Sequence, residues 1–183
     1  EGIEPEKEMT FLEHLEELRW RIIYSLIGIV VGTIVAWIFI DFLVEVILLK
    51  PARDSGAVLQ NLRPFGQLFL FMQIAIMVGM IISIPNLFYQ FWQFISPALR
   101  KKEKRYIFWI VTFSSICFLG GIAFAYFAML PLTMQFAAQF GSESIKNEFA
   151  IDEYMSIIIS VMLAAGFVFE LPMISFFLSK LGI

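Results

Sequence analysis

Four stretches without a single Asp, Glu, Lys or Arg constrain this chain more than anything else in it. They run from Ile22 to Ile40 (19 residues), Pro64 to Leu99 (36), Tyr106 to Ser142 (37) and Tyr154 to Phe169 (16), the last lengthening to Ser179 once Glu170 is included. A helix rising about 1.5 Å per residue needs about 20 residues to cross the hydrocarbon core of a bilayer. Every run meets that requirement, the fourth only by taking in its glutamate. The reading is an all-α, polytopic membrane protein with four long transmembrane helices. Composition agrees: 60% of the residues are hydrophobic, 16% are charged and the mean hydropathy is +0.82, against about 45–50% apolar and about 25% charged in soluble domains. A water-soluble globule of this size has too much surface to cover with so few polar groups.

The spans are expected at about 22–48, 66–97, 106–136 and 153–179, after a segment 1–21 and with an outer cap loop at about 50–64. The second and third runs exceed one crossing but cannot make two, so they read as long or tilted, partly kinked helices, with Pro85 and Pro131 as the bend points. No repeat of 20 to 50 residues is visible, so residues 22–183 are expected to form one membrane domain. The first ten residues, EGIEPEKEMT, hold no apolar run and are not expected to act as a signal peptide. Orientation follows from the basic residues. Nine lie on the side of the amino terminus and of the RKKEKR loop (100–105), and four lie on the other. The amino terminus is therefore expected in the cytoplasm.

Most chemistries are excluded by what is missing. A net charge of -3 gives no nucleic-acid footprint. One histidine, His14, and one cysteine, Cys117, are too few for a metal cage or a disulfide framework, so no metal or cofactor is expected. No GxSxG, HExxH or phosphate-binding loop is present, and the chain does not read as an enzyme.

The informative residues are the charges next to and inside the apolar runs. The segment Thr10 to Arg21 (TFLEHLEELRWR) reads as an amphipathic helix running into the first span. Thr10 and Glu13 have capping-box spacing, and Phe11, Leu15, Leu18 and Ile22 form an apolar stripe. It is either a solvated interfacial helix in which Glu17 and Arg21 pair at i,i+4, or an acidic face that receives a cationic partner. Glu103 is an acid within the basic loop, free to pair locally with Arg100 or Lys104. Such exposed pairs contribute about 0–1 kcal/mol, so stability hardly accounts for it. Glu170 lies within the fourth span, where a carboxylate costs at least about 2.5–3.5 kcal/mol and must face protein or a polar cavity. Pro172, two residues on, is expected to break the helix there by removing a backbone donor. Asp41 and Glu45 share a face at the outer end of the first span. Trp20, Trp37, Tyr89, Trp92, Tyr106 and Trp109 read as interfacial belts.

Four stretches, HLEELRWR (14–21), YQFWQFISPALRKKEKR (89–105), GGIAFAYFAMLPL (120–132) and GFVFELP (166–172), occur in an order that resembles the TatC family, the multi-spanning receptor subunits of the twin-arginine protein translocase. The resemblance covers nearly the whole chain. It implies binding of twin-arginine signal peptides of folded cargo at the cytoplasmic face of a bacterial inner membrane, with TatA and TatB type single-span subunits as partners and a homo-oligomeric complex. It further implies that Glu17 and Glu103 contact the arginine pair, that Arg19 and Phe94 belong to the recognition surface, and that Glu170 is the intramembrane glutamate of a polar concave face. Family members have six spans, of which this sequence holds four, and LLKPARD (48–54) matches the family only loosely. The alternative function is a proton- or ion-coupled secondary transporter using Glu170, which would call for a repeated half that the sequence lacks. A purely structural scaffold would leave Glu17, Glu103 and Glu170 without a role.

Overall fold

The computed structural model describes residues 11–96, 106–140 and 148–181. The elements in chain order are α1 (Phe11–Ile38), α2 (Ile40–Phe42), a π-helical stretch (Leu43–Leu48), α3 (Lys50–Asp54), β1 (Val58–Gln60), α4 (Gly66–Ile95), α5 (Ile107–Phe124), a second π-helical stretch (Ala125–Met129), α6 (Leu130–Gln139), β2 (Glu148–Ala150) and α7 (Ile151–Leu181). Among the described residues, four segments are long and apolar enough to cross a bilayer: Leu12–Ile38, Gly66–Ile95, Ile107–Gln139 and Ile151–Phe176. The third joins α5, the π-helical stretch and α6.

Sequential spans are antiparallel neighbours, and small residues set how closely two of these pairs approach. In α1 and α4, a Cβ on Gly32 would lie 2.5 Å from the Gly79 carbonyl oxygen, so the two backbones meet where no side chain fits. Between α5 and α7, a Cβ on Gly121 would come within 2.5 Å of the Ala165 carbonyl oxygen. Lipid provides no hydrophobic drive for helices to associate, so close van der Waals contact at small residues takes its place. The core lies between α4, α5, the start of α6 and α7, where Ile74, Met77, Phe118, Leu130, Met155 and Ile158 are almost fully buried. Phe118 packs edge-on against Phe88 of α4 and Phe167 of α7, at 5.9 and 5.3 Å between ring centroids.

Two expectations are corrected, those for Trp92 and Pro172, and the apolar stripe of the first helix lies largely off the packed side: Leu15 and Ile22 are 45% and 50% exposed and Leu18 is half-buried. The face turned to α4 instead carries Arg21, Gly28 and Gly32. In a bilayer the apolar side meets lipid, and polar and small groups meet the partner helix. Trp92 is not an interfacial residue but is buried with Ile107 and Val111, because it points into the α4–α5 seam. Pro172 does not break α7, which is helical from Ile151 to Leu181. One lost backbone bond is tolerated where flanking turns and a packed neighbour hold both halves. Pro85 likewise sits inside an unbroken α4. Of the three span prolines Pro85, Pro131 and Pro172, Pro131 alone coincides with a change in winding, since the π-helical stretch precedes it.

The end of the bundle away from the start of α1 carries the cap. The π-helical Leu43–Leu48 leaves carbonyls that two tyrosines satisfy. Tyr126 donates its hydroxyl to the Ile47 carbonyl at 2.8 Å. Tyr154 donates to the Leu48 carbonyl at 2.7 Å and accepts from the Ala52 amide at 3.3 Å. Strands β1 and β2 pair in parallel, Val58 opposite Glu148, a small departure from an all-helical chain. Arg63 bridges to Asp152 at 2.9 Å and Arg53 to Glu45 at 3.2 Å, while Asp41 is exposed.

Candidate functional site

Among the described residues, two polar clusters stand in the half of the bundle where α1 begins. The first is the α1–α4 seam. His14, Glu17 and Arg21 recur at i, i+3 and i+7 and so share one face of α1. On α4, Ser83, Asn86 and Gln90 repeat the same spacing. The faces meet: Arg21 donates through Nη2 and Nε to Glu17 Oε1 at 2.9 and 3.3 Å, and through Nη1 to Gln90 Oε1 at 3.2 Å. Gln90 donates to Asn86 Oδ1 at 3.3 Å, Asn86 to the Tyr24 carbonyl at 3.2 Å, and Ser83 to the Gly28 carbonyl at 2.6 Å. The result is a ladder of hydrogen bonds running from Glu17 into the span.

Phe94 closes the outer end of this ladder, its ring stacked on His14 at 4.4 Å between centroids and 16° between planes. Glu17 and Arg21 are mostly covered, with 18% and 27% of their side chains exposed. Glu17 Oε2 is buried, and no hydrogen-bond partner meets it among the described residues. The site thus offers a carboxylate with one oxygen in use and one idle, on the face of α1 that also carries His14.

The second place is the α5–α7 seam. Glu170 is 4% exposed and faces Ser114 of α5. Glu170 Oε2 and Ser114 Oγ both lack a hydrogen bond of normal geometry among the described residues. Ser114 follows Ile107, the first residue of α5, by seven positions, which puts this pair about 10 Å along the helix from its start.

Of the residues singled out in the sequence, the structure brings Glu17 and Phe94 to one site and holds Glu170 at another. Arg19 lies two positions from Glu17, so it points to the opposite side of α1. It is 64% exposed, pairs with Glu16 at 3.6 Å and sits over the Trp20 ring at 5.5 Å. Glu103 and the rest of the RKKEKR loop lie outside the described residues, as does Thr10. Sequence reasoning did not single out Gln90, Asn86 or Ser114. The i, i+3, i+7 spacing of Ser83, Asn86 and Gln90 inside an uncharged run was the available signal for the first two.

The family profile of the Sec-independent protein translocase protein TatC matches residues 13–183. The chain belongs to the TatC family. A Sec-independent protein translocase protein TatC from Carboxydothermus hydrogenoformans is 34% identical over 178 residues, 97% of this chain and 73% of that protein. The TatC of Aquifex aeolicus is 36% identical over 179 residues, covering 96% of this chain and 74% of that one. Among solved structures, a crystal structure of the twin arginine translocase receptor TatC superposes with a TM-score of 0.84 at 36% identity, over 93% of this chain and 76% of that one. This TatC-family chain is therefore a multi-pass helical membrane protein and a component of Sec-independent protein translocation. In TatC terms, the HLEELRWR stretch forms the Glu17–Arg21 side of the first site. YQFWQF (89–94) supplies its Gln90 and Phe94 side, and GFVFELP supplies Glu170.

Proposed function

We propose that this chain is the receptor subunit that binds the twin-arginine signal peptides of folded proteins, with its amino terminus in the cytoplasm of a bacterial inner membrane. The half-buried Glu17 carboxylate, with its unfilled Oε2 beside the Phe94–His14 stack, carries this reading. An arginine guanidinium is planar, always charged and able to bond a carboxylate twice, and near a low-dielectric interface such bonds are stronger than in water. Glu17 and Glu103 would each take one arginine of the pair. Phe94 would cover the first, and Arg19, exposed on the far side of α1, would contribute to the surrounding surface. Glu170 and Ser114 form a separate polar spot inside the bundle. TatA and TatB type single-span subunits and further copies of the chain complete the assembly.

The test is photocrosslinking from positions 17, 94 and 103 to a synthetic twin-arginine peptide, with a twin-lysine peptide as control. Strong crosslinks with arginine and weak ones with lysine are expected. Equal labelling by both peptides would remove the receptor assignment and turn attention to a coupled transporter acting through Glu170.

A further inference from the structure

Arg21 holds a position that recognition of a peptide does not by itself require. A guanidinium facing a carboxylate in fork geometry bonds each oxygen once. Here both donors, Nε and Nη2, converge on Oε1, and Oε2 is left buried and idle. The carboxylate is thus covered by an arginine of its own chain that uses half of its bonding capacity. A buried charged oxygen without a bond is costly, so this pairing is weaker than the fork a second arginine could make. Arg21 is also not stranded when Glu17 is taken from it. Its Nη1 already rests on Gln90 Oε1, and Gln90 is steadied by Asn86, itself bonded to the Tyr24 carbonyl.

We propose that Arg21 is an internal competitor for Glu17: it covers the carboxylate in the unoccupied protein, and an incoming guanidinium displaces it onto Gln90 while bonding both oxygens. The proposal rests on the assignment of Glu17 to a signal-peptide arginine. Its consequence is a threshold for capture. The preference for arginine over lysine comes from the fork at Glu17, since a lysine ammonium is a point charge without it, and the cost of displacing Arg21 is common to both. Arg21 and Gln90 then set the affinity scale without touching the peptide.

The experiment measures fluorescence anisotropy of labelled twin-arginine and twin-lysine peptides on the full chain in lipid nanodiscs. Arg21→Gln is expected to tighten both peptides by the same factor, about fivefold, the equivalent of removing a competing pair of about 1 kcal/mol, with the ratio of the two affinities unchanged. Arg21→Lys, which keeps the charge without the fork, is expected to fall between parent and Arg21→Gln, and serves if the latter does not fold. Weaker twin-arginine binding in a folded Arg21 variant would overturn the proposal by making Arg21 a helper, and unchanged affinity would overturn it equally. Glu17→Gln separates the two levels. If that variant still binds the twin-arginine peptide, the assignment of Glu17 fails; if it does not bind and Arg21→Gln does not tighten binding, only the competitor role fails.

Discussion

A single carboxylate illustrates how burial turns an ordinary helix pair into a site. Glu17 and Arg21 at i,i+4 on an open surface would contribute a few tenths of a kcal/mol. Against α4 the same pair is mostly covered and tied to Gln90. Replacing Glu17 with Gln removes the charge and keeps the shape. It should weaken capture of a twin-arginine peptide by at least about tenfold, since hydrogen bonds to charged groups contribute about 1.5–3 kcal/mol. Binding isotherms on the purified chain, with melting temperature alongside, would show whether affinity falls without loss of fold. Glu170 behaves differently. Its Oε2 and the Ser114 hydroxyl are buried without bonds among the described residues, so it does little for stability. Glu170→Leu should leave the protein as stable or raise stability by about 1–3 kcal/mol, yet impair export of a twin-arginine reporter. A large drop in melting temperature would instead assign Glu170 a structural task.

At the scale of elements, the α1–α4 pair depends on atoms that are absent. Gly32 and Gly79 have no space for a side chain where the backbones approach. Gly79→Val should push α1 away from α4 and destabilise the protein by about 1–3 kcal/mol, the range for overpacking a close contact. The Arg21–Gln90 bond would be lost with it, and the effect should appear as a lower melting temperature in detergent together with weaker peptide binding. At the other end, the tyrosines take over what the π-helical winding leaves undone. Tyr154→Phe removes the only donor reaching the Leu48 carbonyl among the bonds described and should cost about 1–3 kcal/mol, the range for a buried acceptor left unpaired. Faster amide exchange over residues 48–54, with the rest of α7 unchanged, would locate that loss in the cap.

Across the whole molecule, the two polar sites stand in the same half of an antiparallel bundle, one in the α1–α4 seam and one in the α5–α7 seam. Only 11% of the apolar window of α1 is buried, against 39% for α4, so α1 leans on its neighbour through one narrow face. That face holds the Glu17 ladder, and the rest of α1 is free to meet lipid. Between the two sites, the Phe88, Phe118 and Phe167 rings pack in series from α4 through α5 to α7.

The sequence by itself determined the four crossings, because absence of charge over a bilayer's length admits no other solvent. It also marked Glu17, Glu103 and Glu170 as charges in need of an account, and its ordered motifs pointed to the family. Which way α1 faces was decided only by the tertiary structure. In lipid the apolar stripe carries no information about the packed side, and the small and polar residues of α4 choose it. The same holds for Trp92, which reads as an interfacial residue until the α4–α5 seam is formed, and for Pro172, whose missing donor is absorbed by a helix held on both sides. The parallel pairing of Val58–Gln60 with Glu148–Ala150 joins segments nearly ninety positions apart. Local propensity could not announce it, because neither strand exists without the bundle that brings the two together.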